Sequence, residues 1–179
     1  WVVSQIVDLV WVGRLGSQSI AGVGVANIFL MLVYAVDMGL IVGVRATIAR
    51  LVGAGDVMAA NHVSGQAVLL GAVWGLLVTA AGSFLAGPIL RLFGVDSGVV
   101  VEAAAYLRIM LVGWVGFEVM VMGLYAIQSS GDTVTPMVIE ALMIAVHVTL
   151  CPFLVLGLWV FPHLGVRGAA LSNVVAQSL

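Results

Sequence analysis

Between Ala59 and Ala86 the chain contains no Asp, Glu, Lys or Arg. At about 1.5 Å of rise per residue, a helix over that stretch exceeds the roughly 30 Å hydrocarbon core of a bilayer. Inside lipid every backbone N–H and C=O must be satisfied by the protein itself, which leaves helices and closed barrels as the only spanning structures. No alternation of polar and apolar residues at strand period competes, so the chain reads as all-α, a polytopic membrane helix bundle. The remaining composition agrees. Of 179 residues, 63% are hydrophobic and 8% charged, with no lysine, whereas soluble domains carry about 25% charged residues. The 22 glycines fit helices that pack closely in lipid. A net charge of −2 without a basic run excludes nucleic acid as a partner, and a lone Cys151 allows no internal disulfide.

Six apolar runs follow one another, and the sequence predicts helices over about 1–13, 18–44, 59–86, 102–127, 135–158 and 166–179. The second passes into a polar connection holding Arg45, Arg50 and Gly53-Ala54-Gly55-Asp56. The third closes at Gly87-Pro88, since proline stops a helix readily. Asp96 or Ser97 caps the fourth, and Pro136 fits the first turn of the fifth. Residues 159–165 form a short aromatic connection of the interfacial kind. The chain opens inside one apolar run and stops inside another, so it reads as a fragment with clipped first and last helices. No basic segment precedes the first run to mark a signal peptide. Arginines occur in connections on both sides, so the positive-inside rule gives no orientation.

Asp8 is the residue that most demands a reason. A charge at mid-membrane costs roughly 2.5–3.5 kcal/mol on insertion scales, so one that persists usually faces protein and binds or relays something. The alternative is that Asp8 lies close enough to Gly13 to reach water. On the fifth helix His147 and Cys151 are four residues apart and share a face, while Pro152 frees the carbonyl of Val148 and bends the helix. Imidazole and thiol are read either as partners of a proton site or as a packing histidine and a small buried apolar residue. Two ligands four apart do not complete a tetrahedral zinc site. Asn27, Asp37, Glu118 and Glu140 are candidates for lining a cation-attracting cavity, or else pair across helices or snorkel. Asp56 and Asp132, just after glycines, read as N-caps. Gly39-x-x-x-Gly43 and Gly71-x-x-x-Gly75 read as packing motifs. Met31, Met110, Met120, Met122 and Met143 supply either an adaptable pocket or ordinary packing.

Six segments taken together are more specific than any one of them: VDLVWVGRLG, IAGVGVANIF, GVRATIARLVGAGD, PILRLFGVDSGVVVEAAAYLRI, AIQSSGDTVTPM and PFLVLGLWVFPHLGVRGAALSNVVAQSL. In this order and spacing the chain resembles the N-terminal half of the multidrug and toxic compound extrusion (MATE) transporters. The resemblance implies twelve membrane helices in two six-helix lobes forming an inverted V, of which this chain is the first lobe and the C-terminal lobe of the same chain is missing. It further implies secondary active export of small organic cations across the cell (inner or plasma) membrane by antiport against protons or sodium, with alternating access, no enzymatic activity and no cofactor.

Family topology would put the GAGD and SGDTVTPM turns in the cytoplasm. Asp8 matches the first-helix aspartate that such transporters use as a cation site. The family pattern on helix 5 reads Asn, three residues, Asp or Asn, then Pro; His147 and Cys151 stand there, and Asn173 stands for a family threonine. Replacing an amide and a carboxylate by imidazole and thiol removes hard oxygen ligands. The expectation is therefore H⁺ exchange through Asp8 and His147, with Na⁺ at Asp8 and Asn173 as the alternative. Competing functions are a lipid-linked oligosaccharide flippase of related architecture, disfavoured by the lack of lysine, an intramembrane enzyme, for which no catalytic motif is present, and a channel subunit.

Overall fold

A computed structural model describes residues 2–92, 94–157 and 163–178. Among the described residues there are six α-helices and no strand: α1 Val2–Val12, α2 Ser17–Gly53, α3 Val57–Leu92, α4 Ser97–Ser129, α5 Val134–Leu156 and α6 Val166–Gln177. A 3₁₀ turn over Gly13–Leu15 and Gly16, at φ 122°, carry the chain from α1 into α2. Helices α2 to α5 are each long and apolar enough to cross a bilayer. The chain is a multi-pass membrane bundle. The expected aromatic connection over 159–165 lies partly outside the described residues, as do the outer ends of the expected first, fifth and sixth helices.

The helices run past several expected ends, and burial explains where. Arg45 and Arg50 do not mark a connection: α2 continues to Gly53 because Asp37, Ile41 and Ile48 keep one face of it against the core. Its 37 residues make a rod of about 55 Å, longer than the membrane is thick. Likewise α3 does not close at Gly87-Pro88. Pro88 sits inside the helix, and Ala86 and Leu90, both fully buried, hold the last turn in place beyond it. The start of α4 moves back to Ser97, where the Asp96 carboxylate accepts a 2.8 Å hydrogen bond from the Ser97 N–H. Asp56 accepts from the Ala59 N–H at 3.0 Å at the head of α3.

At the centre stands α4, packed against α2, α3, α5 and α6. Its closest neighbour is α3, whose buried face is a run of small residues: Ala60, Ala67, Gly71, Gly75, Gly82 and Ala86. A Cβ built on Gly75 would lie 2.9 Å from Val115 Cα and 3.4 Å from Glu118 Cβ, so the glycine is what lets the two backbones approach. The two Gly-x-x-x-Gly motifs therefore part company. Nothing lies within 4 Å of a Cβ on Gly39 or Gly43, and both are exposed.

Candidate functional site

Four buried side chains from three helices meet between α1, α4 and α5. Asp8 follows Ser4 by one turn on the buried face of α1 and has no exposed surface. One carboxylate oxygen, Oδ1, lies 3.1 Å from His147 Nε2 and accepts a 3.6 Å contact from the Cys151 thiol. The other, Oδ2, accepts a 3.0 Å hydrogen bond from the Tyr106 hydroxyl on α4. All three partners are buried. Asp8 thus does not reach water past Gly13. The i, i+4 spacing of His147 and Cys151 brings both to the same oxygen, and Pro152 follows within α5. His147 Nδ1 has no hydrogen-bond partner.

The donor atoms of Asp8, His147 and Cys151 lie within 4.8 Å of one another. Spacing along α5 alone left two donors; the fold adds a third from α1, still one short of the four that close a structural zinc site. The side-chain oxygen of Asn173 accepts a 2.5 Å hydrogen bond from Gln177 Nε2. Sequence reasoning missed Tyr106. A phenolic hydroxyl within a largely apolar helix was the available signal, but its partner is 98 residues away.

His147 and Asn173 also line a cavity of about 500 Å³ bounded by α1, α2, α4, α5 and α6. Its walls are aromatic and thioether-rich, with Tyr34, Phe117, Tyr125, Met31, Met38, Met120 and Met143, and Glu140 contributes a carboxylate. Of the methionines singled out in the sequence, Met110 and Met122 are instead buried core residues. Of the four acid or amide candidates for the wall, only Glu140 lines it. Asp37 and Glu118 are fully buried behind it, because their helix faces turn toward α3 and each other rather than into the opening, and Asn27 lies further along α2, outside the lining. Tyr34, Trp114 and Phe117 form a cluster with ring centroids 5.3–6.0 Å apart between the cavity and those acids. A second cleft, of about 480 Å³, holds Arg91, Arg108 and Arg167 at the end of α3.

The MatE family model matches residues 1–153. A probable multidrug resistance protein NorM of Thermotoga maritima is 28% identical over 171 residues, covering 95% of this chain and 37% of that protein. The FAD transporter of Shewanella oneidensis is 25% identical over 170 residues, with 95% and 38% covered. Structures of a multidrug resistance MATE family transporter of the MOP superfamily superimpose in both an inward-facing conformation, TM-score 0.90, and an outward-facing one, TM-score 0.89. Each is 27% identical and covers 98% of this chain, against 39% and 38% of the solved chains. The chain thus spans under two fifths of the length of these relatives.

Proposed function

The chain belongs to the MatE family, and on that premise we propose that it is one lobe of a secondary active transporter of the cell membrane that exports small organic cations in exchange for protons bound at Asp8 and His147. The observation that carries this reading is the double position of His147, which is among the residues lining the cavity and meets Asp8 with Nε2 at 3.1 Å. A cation in the cavity and a proton on the pair are therefore like charges close together. At a separation of about 7 Å and an effective dielectric of about 20, one charge weakens the binding of the other by about 2 kcal/mol, roughly thirty-fold. Proton arrival then expels the cargo, and proton departure readmits it. Coupling of this kind needs two global states, and both an inward-facing and an outward-facing form of a relative match this lobe.

The cavity wall supports the cargo class. Aromatic faces attract organic cations, thioethers adapt to varied shapes, and Glu140 supplies a carboxylate. Sodium at Asp8 and Asn173 is the weaker reading. The Asp8 oxygens face the Tyr106 O–H, the Cys151 S–H and His147 Nε2, and the Asn173 oxygen is engaged by Gln177.

The test is efflux of a fluorescent organic cation from vesicles containing the intact protein, under an imposed proton gradient and then an imposed sodium gradient. Efflux driven by protons and lost in Asp8→Asn, with the variant's thermal midpoint preserved, is the expected result. Undiminished proton-driven efflux in Asp8→Asn overturns the assignment.

A further inference from the structure

Behind the aromatic cluster of the cavity wall lies a second pair of buried acids that the Asp8 centre does not use. Asp37 on α2 and Glu118 on α4 have no exposed surface, and both stand against the Trp74–Gly75 turn of α3, where a Cβ on Gly75 would lie 3.4 Å from Glu118 Cβ and Cγ. The Trp74 indole N–H on α3 donates to Asp37 Oδ1. The other groups go unmatched. Asp37 Oδ2 and both Glu118 oxygens have no donor, and Trp114 Nε1, on a side chain 3% exposed and beside the Glu118 carboxyl, has no acceptor.

Four orphaned polar atoms around one point are expensive in a membrane interior, where each lost hydrogen bond costs free energy that water cannot return. The charges make matters worse. Tyr34 on α2 has both acids near it together with Tyr125 on α4 and Glu140 on α5, Trp74 on α3 reaches Asp37, and all six arginines of the chain are exposed. Arg45 sits over the Tyr125 ring at 5.0 Å. Two adjacent carboxylates without a basic partner cannot both be ionised, which is the situation of paired acids that hold one proton in common.

We infer that Asp37 and Glu118 form a second proton-binding site of this lobe, holding a single proton between their two carboxyl groups. One proton satisfies the geometry. It gives Asp37 Oδ2 or a Glu118 oxygen the donor it lacks, leaves one negative charge, and lets the two indole N–H groups serve the outer oxygens. The glycine face of α3 sets the spacing, since Gly71 and Gly75 pack directly on the Glu118 turn and bring Trp74 up to Asp37. The site shares no residue with the Asp8 centre and stands whether or not the lobe exports cations.

Infrared difference spectroscopy of the intact protein in lipid reads the proton directly. The expected wild-type spectrum at neutral pH contains one protonated carboxyl stretch that is absent from Asp37→Asn and equally absent from Glu118→Gln. Either amide replaces the shared proton with a fixed N–H donor and leaves the remaining acid ionised. Subtracting variant from wild type cancels Asp8, and a thermal melt shows that each variant is folded. Should one variant fail to fold, the wild-type stretch is instead required to shift with carbon-13 labelling of Asp or of Glu side chains. No protonated stretch in the wild type overturns the proposal, in favour of two ionised acids around a metal cation. A stretch that survives either single substitution also overturns it, because the two acids are then protonated independently.

Discussion

Gly75→Ala tests the packing that holds the Asp37 and Glu118 centre. The added Cβ would sit 2.9 Å from Val115 Cα, a backbone atom that no rotamer change can move. Carbon atoms rest at about 3.5–4.0 Å, so α3 and α4 must part by roughly 0.6–1 Å over that turn. Overpacking of this size costs about 1–3 kcal/mol. Alanine's better helix propensity returns about 0.5–1 kcal/mol, leaving a net destabilisation of up to about 2.5 kcal/mol. Gly65, on the same helix, has nothing within 4 Å of its Cβ position and is exposed, so Gly65→Ala keeps the propensity gain alone. The assay is thermal unfolding of the intact protein followed by tryptophan fluorescence, with the two variants melted beside the wild type. Gly75→Ala is expected to melt below the wild type and Gly65→Ala at or above it. Equal midpoints for the two variants would refute the close approach of α3 to α4.

Two further outcomes follow from local geometry. Asp132 caps α5: the Thr135 hydroxyl donates to Oδ2 at 2.6 Å, and the Val134 and Thr135 N–H groups donate to Oδ1 at 3.0 Å. These bonds, the Thr135 hydroxyl first, hold its carboxyl below the usual range. A carboxyl so lowered contributes stability that is complete above its unfolded value of about 3.9 and is lost as pH falls through the folded value. The protection factor of the first turn of α5 against hydrogen exchange, taken relative to the intrinsic rate at each pH, is therefore expected to fall on acidification in the wild type and to be low at every pH in Asp132→Ala; unchanged protection in the variant contradicts the cap. Cys151 has no exposed surface, so a polar maleimide is expected to label it only after denaturation. Rapid labelling of the folded protein would contradict its place against Asp8.

The sequence carried the helical class and the order of the helices, because long uncharged runs admit no other reading in lipid. It also carried Asp8 as an isolated charge and His147 with Cys151 as one helix face, because both are local patterns. What it did not carry was any relation across helices. Tyr106 and Asp8, or Asp37 and Glu118, meet through packing that no spacing within one helix encodes, and the four wall candidates looked alike although only Glu140 faces the cavity. Helix ends escaped for a related reason. Arg45 and Arg50 resemble a connection until Ile48, buried between them, is seen to hold α2 against the core. The two Gly-x-x-x-Gly motifs were likewise equivalent as strings and differ only in what stands opposite them.

The two acid centres share a solution that bears on exchange. A buried carboxylate paired with arginine is neutralised permanently, and breaking such a pair leaves an uncompensated charge at a cost of about 3–5 kcal/mol. Here the fixed partners are neutral donors: the Tyr106 hydroxyl and Cys151 thiol at Asp8, and the Trp74 indole at Asp37. Such groups orient a carboxyl and satisfy its lone pairs without cancelling its charge. Among the described buried residues the one side chain able to become a cation is His147, and it does so only by taking up a proton. Neutralisation in this lobe therefore falls to an ion that can leave again, which is the property an exchanging site requires and a structural ion pair lacks.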